Sequence, residues 1–150
     1  MRTIEEKIIE TLNGSNGVKQ LSCRDCVEVD GGTKNYYLWN NLIFWNDAEN
    51  NYYFSFCGYS TNTTKSRLNA IFNYFNLGGF YQKNYVVYWN NGSTKIEVDI
   101  NKKYKIIFFD NYAVKIEVVW FLIMPFMEVL ICLYLFYTRT KNILLSIETH

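Results

Sequence analysis

The residues best equipped for chemistry lie in one stretch: Asn62, Thr63, Thr64, Lys65, Ser66, Arg67, Asn69 and Asn73. On a helix opened by a Thr61 or Thr63 cap they form a polar face. Its first turn would present unpaired backbone N–H groups, threonine hydroxyls and two cations, the makings of an anion site. Asparagine can read adenine, and lysine or arginine can contact phosphate or guanine. This face is therefore expected to bind nucleic acid or another macromolecule, with Lys83, Lys95, Lys102, Lys103 and Lys105 as basic support. The same residues also describe a solvated, well-capped helix face with no ligand.

Catalytic arrangements are poorly provided for. The single histidine is His150, the last residue, which argues against Ser-His-Asp and Cys-His nucleophile systems. The carboxylates are scattered, and no glycine-rich phosphate loop is present. Cys23-Arg24-Asp25-Cys26 is a CxxC pair, but a structural zinc site wants four ligands and Cys57 and Cys132 are isolated. Asp25, Glu28 and Asp30 around the pair would raise the thiol pKa, against a redox role. Cys23 and Cys26 are thus weak metal candidates, no metal or cofactor is expected, and the chain is read as a non-enzyme.

The elements that must position these residues follow from patterning. Leu68, Ile71, Phe72 and Phe75 form an i, i+3, i+4, i+7 stripe, with Leu77-Gly78-Gly79 as its stop. A first amphipathic helix carries Ile4, Ile8, Ile9 and Leu12 on one face and halts at Asn13-Gly14. Residues 35–45 read as one aromatic strand bulged at Asn40-Asn41, with residues 52–57 returning as its hairpin partner. Three more strands are expected at about 80–90, 94–100 and 103–109, the first two joined by Asn90-Asn91-Gly92-Ser93. The predicted class is α+β: an antiparallel sheet of about five strands packed by two helices, in the order α-β-β-α-β-β-β, plus a hydrophobic C-terminal helix.

Composition fits one domain and hides a division. The 150 residues are 49% hydrophobic and 19% aromatic with one proline, which excludes a linker or disordered chain. The net charge of +1 combines −3 over residues 1–60, +4 over 61–112 and a neutral remainder. All eight glycines precede residue 93 and 17 of 18 asparagines precede residue 112. A domain of residues 1–112 is therefore expected, followed by a hydrophobic segment, 113–150. Residues 118–137 carry one charge, Glu128, and are long enough for a membrane-spanning helix, with a packed core helix as the alternative. No signal peptide is expected at the start of this sequence, whose first ten residues include Glu5, Glu6 and Glu10.

The run from Phe54-Ser55-Phe56-Cys57-Gly58-Tyr59 through Thr61-Asn62-Thr63-Thr64-Lys65-Ser66-Arg67-Leu68-Asn69-Ala70-Ile71 resembles a motif of small uncharacterised phage and prophage accessory proteins. The resemblance implies a phage accessory role and brings no active site with it. Proteins of that kind often act by occupying a host macromolecule, which makes a counter-defence inhibitor (anti-CRISPR-like) or a nucleic-acid-binding accessory protein the expected function. A host protein or nucleoprotein would be the partner, met in the host cytoplasm. The alternative is a small single-pass membrane protein, anchored through 118–137, with a cytoplasmic α+β domain.

Overall fold

The computed structural model describes residues 3–109 and 112–119, leaving aside the side chains of 109 and 112–114. The chain runs through α1 (Thr3–Leu12), β1 (Gly17–Gln20), β2 (Asp25–Asp30), β3 (Thr33–Leu38), β4 (Asn41–Asn46), β5 (Tyr52–Ser55) and α2 (Asn62–Tyr74). It continues through β6 (Gly79–Lys83), β7 (Val86–Asn90), β8 (Lys95–Val98), β9 (Lys103–Phe109) and β10 (Tyr112–Val118). Two antiparallel sheets result, one of seven strands in the order β1-β2-β3-β4-β5-β9-β10 and one of three, β6-β7-β8.

The α+β class and the two helices agree with the sequence, but the strand count of about five is too low. The described residues form ten strands, and two of the added ones come from hairpins hidden inside single expected strands. Residues 35–45 are not one bulged strand: β3 turns back into β4 at Trp39-Asn40, both at positive φ (52° and 60°). Residues 80–90 likewise split into β6 and β7 at Asn84-Tyr85 (49° and 65°). Positive φ at both central residues marks type I′ turns, whose twist suits two-residue hairpins. Neither pair is the Asn-Gly that normally announces one, so the alternation reads straight through. A third such turn, Gly31-Gly32, joins β2 to β3.

The division expected at 112/113 falls at the start of β10. β10 pairs with β9 along its length, Val119 N donates to Lys103 O at 2.7 Å, and the compact unit closes at Val119. Among the described residues β10 is an edge strand of the large sheet, so the fall in asparagine and glycine coincides with a strand. The expected helix at 118–137 lies outside the described residues beyond Val119. Among the described residues no helix is long and apolar enough to cross a membrane.

α2 is the hub of the core. Leu68, Ile71 and Phe72 are fully buried, and Phe75 stacks on Phe44 at 5.9 Å. Phe80 of β6 meets Phe54, Phe56 and Phe72 at centroid distances of 4.6–5.2 Å, which ties the small sheet to the large one. Trp89 of β7, wholly buried, donates its indole N–H to Leu77 O at 2.8 Å. The helix stops earlier than Leu77-Gly78-Gly79 suggests, in a Schellman motif: Leu77 N donates to Phe72 O and Asn76, at φ 56°, donates to Asn73 O. Asparagine tolerates the left-handed residue that glycine was expected to supply.

Candidate functional site

Thr61 caps α2. Its hydroxyl accepts from Thr64 N at 3.1 Å and pairs with the buried Thr64 hydroxyl at 2.9 Å. Beyond that cap the expected binding face is largely spent inside the fold. Ser66 donates to Glu5 of α1, and Arg67 reaches Glu5 Oε1 at 3.2 Å and Asp25 Oδ1 at 3.0 Å. Asn69 pairs with the backbone of Phe80 in both directions, at 2.9 and 2.6 Å, and so acts as a short extra strand beside β6. Lys65 bonds Gln82. The expectation that Thr64 and Arg67 lie on an exposed face is overturned, since both are buried. Asn62 and Asn73 remain exposed about three turns apart, with Thr63 half-buried.

The basic support is not gathered at this helix. Lys83 and Lys95 lie on the small sheet, where Lys95 covers the stacked Tyr81 and Tyr88 rings. Lys102 pairs with Asp99 at 3.3 Å, while Lys103 and Lys105 sit over Trp45 and Tyr53 on the outer face of the large sheet. Cys23 is an exposed thiol in the β1–β2 turn. Cys26 is half-buried on β2, its pKa raised by burial and by Glu28. No cluster of three or more metal-ligating His, Cys, Asp or Glu side chains occurs among the described residues.

The three charges around Arg67 form a buried network. Asp25, 1% exposed, also accepts from Tyr36 OH and from Ser22 Oγ, each at 2.6 Å. Burial by itself pushes the Asp25 carboxyl up. Hydrogen bonds from Ser22, Tyr36 and Arg67, with the Arg67 charge, outweigh it and hold the group below its ordinary value. Burial and the neighbouring carboxylate push the Tyr36 phenol strongly up, so it stays a hydrogen-bond donor. With every oxygen of Asp25 engaged and little solvent contact, this arrangement is built to lock α1, β2 and α2 together.

A different surface remains open. Between the β3–β4 turn and the β5–α2 connection lies a cleft of about 350 Å³, within the about 300–1,000 Å³ range of ligand pockets. Its floor is apolar and almost fully buried: Leu38, Ile43 and Phe56. Trp39 (60% exposed) and Tyr59 (58%) stand at its rim, and the Asn41, Thr61 and Thr64 side chains supply its polar end. Arg24 lies 5.6 Å above the Trp39 ring, and its carbonyl accepts from Trp39 N at 2.8 Å. Trp39, which lines the cleft, and Cys57, which follows Phe56 of its floor in the chain, hold left-handed φ values of 52° and 50° that cost a non-glycine residue on the order of 1 kcal/mol or more. All that the sequence offers for this site is the Trp39-Asn40 pair within an aromatic run. It is legible only once residues 35–45 are recognised as a hairpin.

Fold and site together define a small two-sheet α+β protein that carries a ready-made cleft instead of a gathered set of reactive groups. Over residues 1–119 the chain matches the model of the family described as Kyanoviridae Gp96 protein, and it belongs to that family of phage proteins. The match ends at the residue where the compact unit closes. Neither the curated proteins nor the solved structures contain a match.

Proposed function

We propose that this phage protein is a non-enzymatic binding module that acts by occupying a host protein in the host cytoplasm, in the manner of a counter-defence inhibitor. The observation that carries the reading is the pair of exposed aromatics, Trp39 and Tyr59, on the rim of a cleft with a preformed apolar floor. Tryptophan and tyrosine dominate interface hot spots because they bury large rigid areas at low entropic cost. Trp39 keeps a left-handed turn position where asparagine or glycine would be more stable, which favours a role for the indole itself. The nucleic-acid version is less well supported, because Ser66, Arg67 and Asn69 are committed to internal contacts.

Affinity capture with the full chain tests this. The unmodified protein is expected to retain a host partner, and Trp39→Ala or Tyr59→Ala to weaken that complex by roughly 30-fold or more, as loss of a hot spot of about 2 kcal/mol requires. A partner held equally well by both variants would place the contact elsewhere and overturn the reading.

A further inference from the structure

The cleft has a charge preference as well as a shape. None of its lining residues is acidic. Arg24, exposed beside Trp39, makes no salt bridge among the described residues. α2 begins at the polar end of the cleft with no acidic residue in its first turn, which leaves the positive end of the helix uncompensated by side chains there. Asp25, next to Arg24 in the chain, is buried and paired with Arg67, which it shares with Glu5. A bulky apolar side chain fits the floor, and a negative group beside it meets Arg24.

From this we infer that the cleft takes a short acidic–apolar segment of a partner protein. One large apolar side chain seats on Leu38, Ile43 and Phe56 between Trp39 and Tyr59, and an adjacent aspartate or glutamate faces Arg24. The inference rests on the reading of the cleft as the contact surface and adds the chemistry of what enters it. Most of the affinity comes from the apolar anchor. The exposed ion pair contributes little on its own and decides which sequences are accepted. A nucleic-acid strand fits less well, since the site offers a pocket with one arginine beside it instead of a track of cations.

Selection of displayed random 12-residue peptides on the full-length protein tests the assignment, with Trp39→Ala and Arg24→Glu as paired baits. Both positions are exposed, so urea midpoints close to that of the unmodified chain are the required control. Enriched peptides are expected to join Leu, Ile, Phe or Trp to Asp or Glu within two residues and to lose at least tenfold in affinity on Trp39→Ala. Replacing the peptide acid by lysine should weaken binding at least tenfold to the unmodified protein, and Arg24→Glu should reverse that order. Peptides that depend on Trp39 but ignore peptide charge and Arg24 overturn the acidic chemistry and leave the cleft as contact surface. A selection with no Trp39-dependent peptide, or one in which a single-stranded oligonucleotide displaces the peptides through the same residues, overturns the inference entirely. Failure of the broader reading shows separately, as host capture indifferent to Trp39 and Tyr59.

Discussion

Replacing Arg67 by methionine keeps most of the stem volume and removes the one cation shared by two buried carboxylates. Arg67, Asp25 and Glu5 are each no more than 5% exposed, and the guanidinium contacts are 3.0 and 3.2 Å. Removing one partner of a buried pair costs about 3–5 kcal/mol, because the remaining charge is left desolvated and unpaired. For a domain of this size about 1 kcal/mol corresponds to about 4 °C, so Arg67→Met should lower Tm by about 12–20 °C. The penalty has a pH signature. In the unmodified protein Asp25 titrates below its ordinary 3.8, so its contribution is intact above that value and is lost as pH falls through the folded pKa. Arg67→Met removes part of what depresses that pKa and, at neutral pH, leaves charge stranded in the core. Acid protonates that charge and relieves it. The stability gap between the two proteins should therefore be wide at pH 6 and narrower at pH 3. Urea unfolding followed by circular dichroism at both pH values measures it. Neutralising the acids as well, with Glu5→Gln and Asp25→Asn, should recover at least half of the loss. A loss under about 1 kcal/mol at pH 6, or a gap unchanged at pH 3, would refute the claim that Arg67 serves to neutralise this cluster.

Two further outcomes test the backbone arguments. Tyr85 is 96% exposed at φ 65° in the Asn84-Tyr85 turn, so Tyr85→Gly creates Asn-Gly where the hairpin prefers it and should stabilise by about 0.5–1 kcal/mol, read as a higher urea midpoint. Gly78 holds φ 87°, and a Cβ there would sit 2.6 Å from Asn90 O and 3.1 Å from Asn91 Cα. Gly78→Ala should accordingly cost about 2–4 kcal/mol and loosen the small sheet first, visible as faster hydrogen exchange in β6 and β7 than in β4 and β5.

What could be read in advance was local. α2 announces itself because its stripe, Leu68, Ile71 and Phe72, and its Thr61 cap lie within a few residues of one another. The β7–β8 turn was legible for the same reason, since Asn-Gly is a strong local signal. Trp39-Asn40 and Asn84-Tyr85 carry no such signal, and each concealed a hairpin and shifted the strand count. Arg67 shows the harder limit. Its spacing on the helix resembles that of a solvent-facing cation, and only the arrival of Glu5 and Asp25, 62 and 42 residues earlier, turns it inward. Nothing in a short window encodes that meeting. The cleft is equally non-local: it exists because β3, β4 and the residues after β5 converge on the start of α2.

The span of those Arg67 contacts bears on the order in which the chain assembles. Strands β1 to β5 are a meander of sequence neighbours, whereas α1 packs on both β2 and α2 and so needs residue 67 and its neighbours to complete its contacts. Without α2, Asp25 keeps its bonds from Ser22 and Tyr36 but loses the guanidinium that bridges it to Glu5, and with it one tie between β2 and α1. Closure of such long loops comes late in folding and slows it. The arginine thus joins the start of the chain to its middle: α1 and β2 meet through one side chain 62 and 42 residues further along.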